Sequence, residues 1–87
     1  MLLNIILIMK EKFLEKEDNL DEIISANIKA EIENSGKSKS EIAEAIGVSK
    51  PTVSQYLSGR IQPTLRTLAK LCIFLDCSAD DILNIRK

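Results

Sequence analysis

The sequence predicts a small all-α domain of five helices with an apolar N-terminal extension. Three observations lead there. Apolar residues recur at helical spacing from Leu20 onward. Each recurring run is preceded by Ser, Thr or Asn, and the first three end at a glycine. Breakers are few, with three Gly and two Pro in 87 residues, so few strands are expected. That length suits one domain whose core is modest and which a partner subunit would help to stabilise.

The extension is residues 1–18, and the domain proper is residues 19–87. Leu2–Met9, LLNIILIM, is the most apolar segment. It is too short to span a bilayer, and it has neither the basic start nor the cleavage site of a signal peptide. It opens a helix continuing through Phe13 and Leu14, or it is a short strand. A run this apolar must be covered, either by the domain's own core or by a second subunit. Met9 is a second candidate start.

Asn19 is expected to cap the first domain helix, with Glu22 closing a capping box. Leu20, Ile23, Ile24, Ile28 and Ile32 follow on one face, and Gly36 ends the helix. Ser38 and Glu41 form a second capping box, and that helix runs to about Ile46, where Gly47 breaks it. Ser49 caps a third helix with Pro51 in its first turn, where a missing N–H costs little. It stops near Gly59. After a loop at Gln62-Pro63, Thr64 caps a fourth helix with Leu65, Leu68, Leu71, Cys72 and Leu75 inward. Ser78 with Asp81 caps a short fifth helix carrying Ile82, Leu83 and Ile85.

Charge is uneven along the chain. Net charge is −1, yet residues 35–70 hold six Lys or Arg against two Glu, while residues 1–34 hold four Lys against eight acidic residues. A basic middle between acidic flanks allows a cationic face, as does a mixed solvated surface. One Tyr, two Phe and no Trp argue against a stacking platform for single strands. Cys72 and Cys77 are too few, and histidine is absent, so no metal site is expected and both thiols read as reduced. With no histidine, no cofactor loop and no clustered carboxylates, an enzyme is not expected. No cofactor is expected either.

The most informative stretch is Lys39–Ser58, KSEIAEAIGVSKPTVSQYLS. It reads as two short helices joined by a tight turn. Counting from Lys39, the apolar residues Ile42, Ile46, Val48, Val53 and Tyr56 stand where two crossed helices meet each other and a third behind. Ala43 stands where the helices approach closely. Gly47 stands in the turn, where positive φ is needed. A ligand-free helical hairpin would explain the apolar spacing, but less readily the small residue and the glycine together. A pair of this kind can lay its second helix in the major groove of DNA.

The stretch SKSEIAEAIGVSKPTVSQYLSGR, followed by QPTLRTLAKLCIFLDCSADDIL, resembles the Cro/cI-type (phage repressor-like, XRE family) helix-turn-helix transcriptional regulators. The resemblance covers about residues 20–84. It implies a five-helix lambda-repressor-like fold that binds double-stranded operator DNA, usually as a homodimer. Two departures stand out: Lys37, where the family often has Leu, and the acidic, apolar extension.

Carried over by position, the resemblance implies DNA-binding roles for Lys39, Lys50, Pro51, Thr52, Gln55, Ser58 and Arg60. Lys39 takes the place of a family Gln and suits phosphate. Lys50, Pro51 and Thr52 begin the recognition helix, with Lys50 suited to guanine or phosphate and Thr52 to a thymine methyl or phosphate. Gln55, one turn on, suits bidentate pairing with adenine and is the leading base reader. Ser58 and Arg60 suit phosphates, which set affinity and its salt dependence. Ser54 is less defined.

The expected function is sequence-specific, near-palindromic operator binding in the cytoplasm, as a repressor. With no ligand-sensing domain expected, regulation would come through concentration, degradation or another protein. Two rivals remain. IAEAIGVSKPTVSQYLSG also resembles the start of LacI-type repressors, which continue into a hinge and a sugar-binding domain. An antitoxin or similar protein-interaction module would keep the fold and bind a toxin or co-regulator.

Overall fold

The computed structural model describes the backbone of residues 2–85 and the side chains of residues 19–85. Among these it has five helices and no strand: α1 (Leu2–Ser35), α2 (Lys39–Ile46), α3 (Lys50–Ser58), α4 (Leu65–Leu75) and α5 (Ala79–Leu83). The all-α, five-helix expectation holds.

The first helix differs from its expected start. It runs unbroken from Leu2 to Ser35, so Asn19 and Glu22 lie inside a helix and cap nothing. The physical reason is in the connecting residues. Lys, Glu and Leu dominate positions 10–18, all good helix formers, and no Gly or Pro occurs before Gly36. A start signal alone does not break a helix that has no stop signal before it. The helix reading of Leu2–Met9 holds over the strand; what covers its side chains lies outside the described residues.

The remaining starts are as expected. Ser38, Ser49, Thr64 and Ser78 have extended backbones, and each hydroxyl accepts an N–H from the first turn that follows. At Ser38 the box closes both ways. Glu41 N–H donates to Ser38 Oγ at 3.1 Å, and Ser38 N–H donates to Glu41 Oε1 at 3.1 Å. These bonds to the Ser38 backbone and then to its side chain hold the Glu41 carboxyl below its ordinary 4.5. A lowered carboxyl stabilises fully above the ordinary value and stops doing so as pH falls through the lowered one. Glu41→Gln is therefore expected to flatten the acid side of the stability curve below 4.5, read by thermal unfolding across pH. An acid limb that does not change would assign that slope to other carboxylates.

Helix ends show more than the glycines announce. Gly47 and Gly59 are left-handed, with φ 74° and 76°. Asp76 and Asn84 adopt the same conformation at the ends of α4 and α5, with φ 54° and 59°. Short polar side chains tolerate it better than most. Past Asp76 the Cys77 N–H donates to Cys72 O at 3.0 Å, which closes the end of α4.

One core joins all five helices. Ile28 and Ile32 of α1, Ile42, Ala43 and Ile46 of α2, Val53 and Tyr56 of α3, Leu68, Leu71 and Cys72 of α4, and Ile82 of α5 are buried together. Val48, Leu75 and Leu83 pack against this cluster while partly exposed. Leu65, expected inward, faces solvent and is 82% exposed; Ile85, expected on the fifth helix, lies past its end and is 58% exposed. Leu65 stands only about 20° around the helix from the buried Cys72, so its spacing does fit the core side; it is exposed because it lies in the first turn of α4, where no neighbouring element covers it. Ile85 follows the left-handed Asn84, which turns the chain off the α5 face. The thiols are free; Cys72 is buried and Cys77 half-buried. Burial, then the neighbouring Cys72, pushes the Cys77 thiol up to about 12, so it stays protonated and unreactive near neutral pH.

Two side chains join elements far apart in sequence. Asn27 Nδ2 on α1 donates to the carbonyls of Asp81 and Ile82 at 3.1 and 3.0 Å. It thereby partners carbonyls at the C-terminal end of the short α5. Lys37 places its ammonium 4.8 Å from the centre of the Phe74 ring. A cation over an aromatic face thus occupies the position where the resembled family often has Leu.

Candidate nucleic-acid interface

Helices α2 and α3 are short, eight and nine residues, and neither would persist alone. Packing holds them. Ile42, Ala43 and Ile46 meet Val53 and Tyr56, with Leu68 and Leu71 of α4 behind. Between them Gly47 reverses the chain, and its N–H returns to Ala43 O. Val48 N–H also donates to Ala43 O, at 3.0 Å. These bonds fix the turn and therefore the direction in which α3 leaves it.

The outer face of α3 follows from which side is buried. Val53 and Tyr56 point inward, so Pro51, Gln55 and Ser58, spaced four and three apart, run along the opposite side and are all exposed. Lys50 is exposed in the first turn. Thr52 is half-exposed, and its hydroxyl shares a 2.8 Å hydrogen bond with Ser49 Oγ. Ser54 is half-exposed as well.

The other expected residues flank this face. Lys39 is exposed at the start of α2, and Arg60 is exposed just after α3. Ser58 commits its hydroxyl proton to Gln55 O at 3.1 Å and accepts from Arg60 N–H at 3.4 Å, so it organises the end of α3. Gln55 keeps its side-chain amide at the surface while its carbonyl takes the Arg60 N–H at 3.0 Å.

The loop after α3 is held against α1. Gln62 Nε2 donates to Asp21 O at 3.3 Å and lies 3.4 Å from Asp21 Oδ1. Gly59 lies so close to α1 that a Cβ there would stand 3.3 Å from Ser25 Cβ. This glycine thus serves both a left-handed cap and a tight approach.

Lys70 was not among the residues expected here. Its ammonium lies 3.9 Å from where a Cβ on Gly47 would stand. It comes from α4 to the C-terminal end of α2, whose own last turn carries no basic residue. A cation suits that end of the helix dipole. No sequence signal announces this, since Lys70 is 23 residues from Gly47.

Among the described residues no group of His, Cys, Asp and Glu is placed to hold a metal ion, and no helix is long and apolar enough to cross a membrane. In comparisons with known proteins, the model of a family described as Helix-turn-helix matches residues 28–82. No curated protein and no solved structure matches.

Proposed function

Because this chain belongs to the Cro/cI-type helix-turn-helix family of DNA-binding transcription regulators, we propose that it acts as a repressor on a near-palindromic operator, as a homodimer. The observation that carries the reading is the outer face of α3: Pro51, Gln55 and Ser58 exposed on one side, with Lys50 at its start. Gln55 reads a base, adenine by its donor–acceptor pattern. Lys39, Lys50 and Arg60 take phosphates around it. Pro51 and Thr52 shape the entry of α3, and Ser58 holds its end. Residues 1–18 act as an extension to this DNA-binding unit, residues 19–87.

Selection of DNA from a random pool by the purified protein tests the proposal. Enrichment of an inverted half-site repeat supports sequence reading and two-fold pairing together. A pool that stays random would sink it. Charge gives a second check. Lys50→Ala combined with Arg60→Ala is expected to reduce the slope of log affinity against log salt by roughly 2. An unaltered slope would remove both residues from the phosphate contacts.

A further inference from the structure

Helix α4 buries Leu68, Leu71 and Cys72 and turns Leu65, Ala69 and Ile73 to solvent. Leu65 is 82% exposed and Ile73 is 81% exposed. The three residues are four apart, so they form one stripe along the helix. A single exposed aliphatic needs no explanation. Two large ones on one stripe, with a small residue between them, mark a surface meant to be covered.

We propose that this stripe joins two copies of the chain, with their α4 helices antiparallel about a two-fold axis beside Ala69. The inference rests on the homodimer reading above and names its surface. The order large, small, large fits its own reverse. In an antiparallel pair Leu65 meets the partner's Ile73, and Ala69 meets its own copy at the crossing. A small residue there lets the helix axes approach to about 8 Å. Each copy uses the same patch, as a closed two-fold contact requires.

Charge selects the same orientation. Arg66 lies near the start of α4, and Asp76 caps its end, both exposed. Reversal sets Asp76 beside the start of the partner's α4, within about one turn of the partner's Arg66, and brings opposite ends of the helix dipoles together. Parallel pairing would set like charges side by side. A foreign partner would not require the stripe to match its own reverse, so a second copy is the occupant that the pattern fits. None of Lys39, Lys50 or Gln55 lies on α4, so the stripe itself uses none of the residues assigned to DNA.

Sedimentation of the full chain without DNA tests the pairing. The wild type is expected to dimerise. Leu65→Lys and Ile73→Glu are each expected to weaken the dimer about tenfold or more. An equimolar mixture of the two variants is expected to dimerise again. In that mixed pair the two introduced charges face each other and are opposite, while the other Leu–Ile contact is intact. Circular dichroism checks folding, and Leu65→Ser with Ile73→Ser replaces any variant that does not fold. Single variants that dimerise like wild type would overturn this surface. A mixture that stays monomeric would overturn the antiparallel register. A monomeric wild type would overturn pairing itself, while half-site binding by that monomer would leave DNA reading standing.

Discussion

Ile42→Ala is expected to lower stability by roughly 2–5 kcal/mol. Ile42 is fully buried on α2, with the core residues of α3 and α4 around it. Truncation removes buried methyl groups and leaves a cavity that three short helices cannot easily collapse to fill. A chain of 87 residues has roughly 4–13 kcal/mol in total, so the loss threatens the fold itself. Ile42→Val removes one methylene and is expected to cost only roughly 0.5–1.5 kcal/mol. Urea unfolding reads both, with the midpoint moving and the slope unchanged. A loss below about 1 kcal/mol for Ile42→Ala would mean that the junction of α2, α3 and α4 repacks freely. That would undercut the claim that packing fixes how α3 is presented.

Gln55→Ala is expected to leave stability nearly unchanged and alter recognition instead. Gln55 is exposed, and its carbonyl bond to Arg60 N–H survives the substitution. Losing a bidentate side-chain contact costs roughly 1–3 kcal/mol against the best site, a factor of about 5 to 150 in affinity. Nonspecific binding should change little, because phosphate contacts carry it. The signature is a relaxed preference at one position of each half-site, measured by repeating the random-pool selection with the variant. If base preference is the same in both selections, Gln55 reads nothing and the assignment falls. Ile42 and Gln55 thus separate two demands on neighbouring helices: one holds the angle, the other uses it.

Most of the local architecture was legible in the sequence, for a physical reason. Ser38, Ser49 and Thr64 cap helices through their own hydroxyls, and Gly47 and Gly59 take a backbone conformation that few other residues adopt cheaply. Such signals act within four residues. The unbroken α1 was missed because an N-cap pattern at Asn19 was read as a start without a stop before it. Left-handed Asp76 and Asn84 were missed because these residue types also occur widely elsewhere. Of the candidate site, Lys50, Pro51 and Gln55 are exposed as a helical count from Val53 and Tyr56 requires. Thr52 and Ser58 read from sequence as DNA contacts, and their engagement with Ser49 and with Gln55 O appears only in three dimensions.

The sequence by itself determined where α2 to α5 begin, the turn at Gly47 and which side of α3 is buried, because caps, turns and periodicity are local chemistry. Tertiary structure alone decided which distant side chains meet: Asn27 on the end of α5, Lys37 over Phe74, Lys70 beside Gly47, and Ser25 against Gly59. It also turned Leu65 outward with Ile73. An apolar residue at helical spacing can satisfy its own helix without facing the core, and only the placement of the neighbouring helices decides which side of α4 is covered.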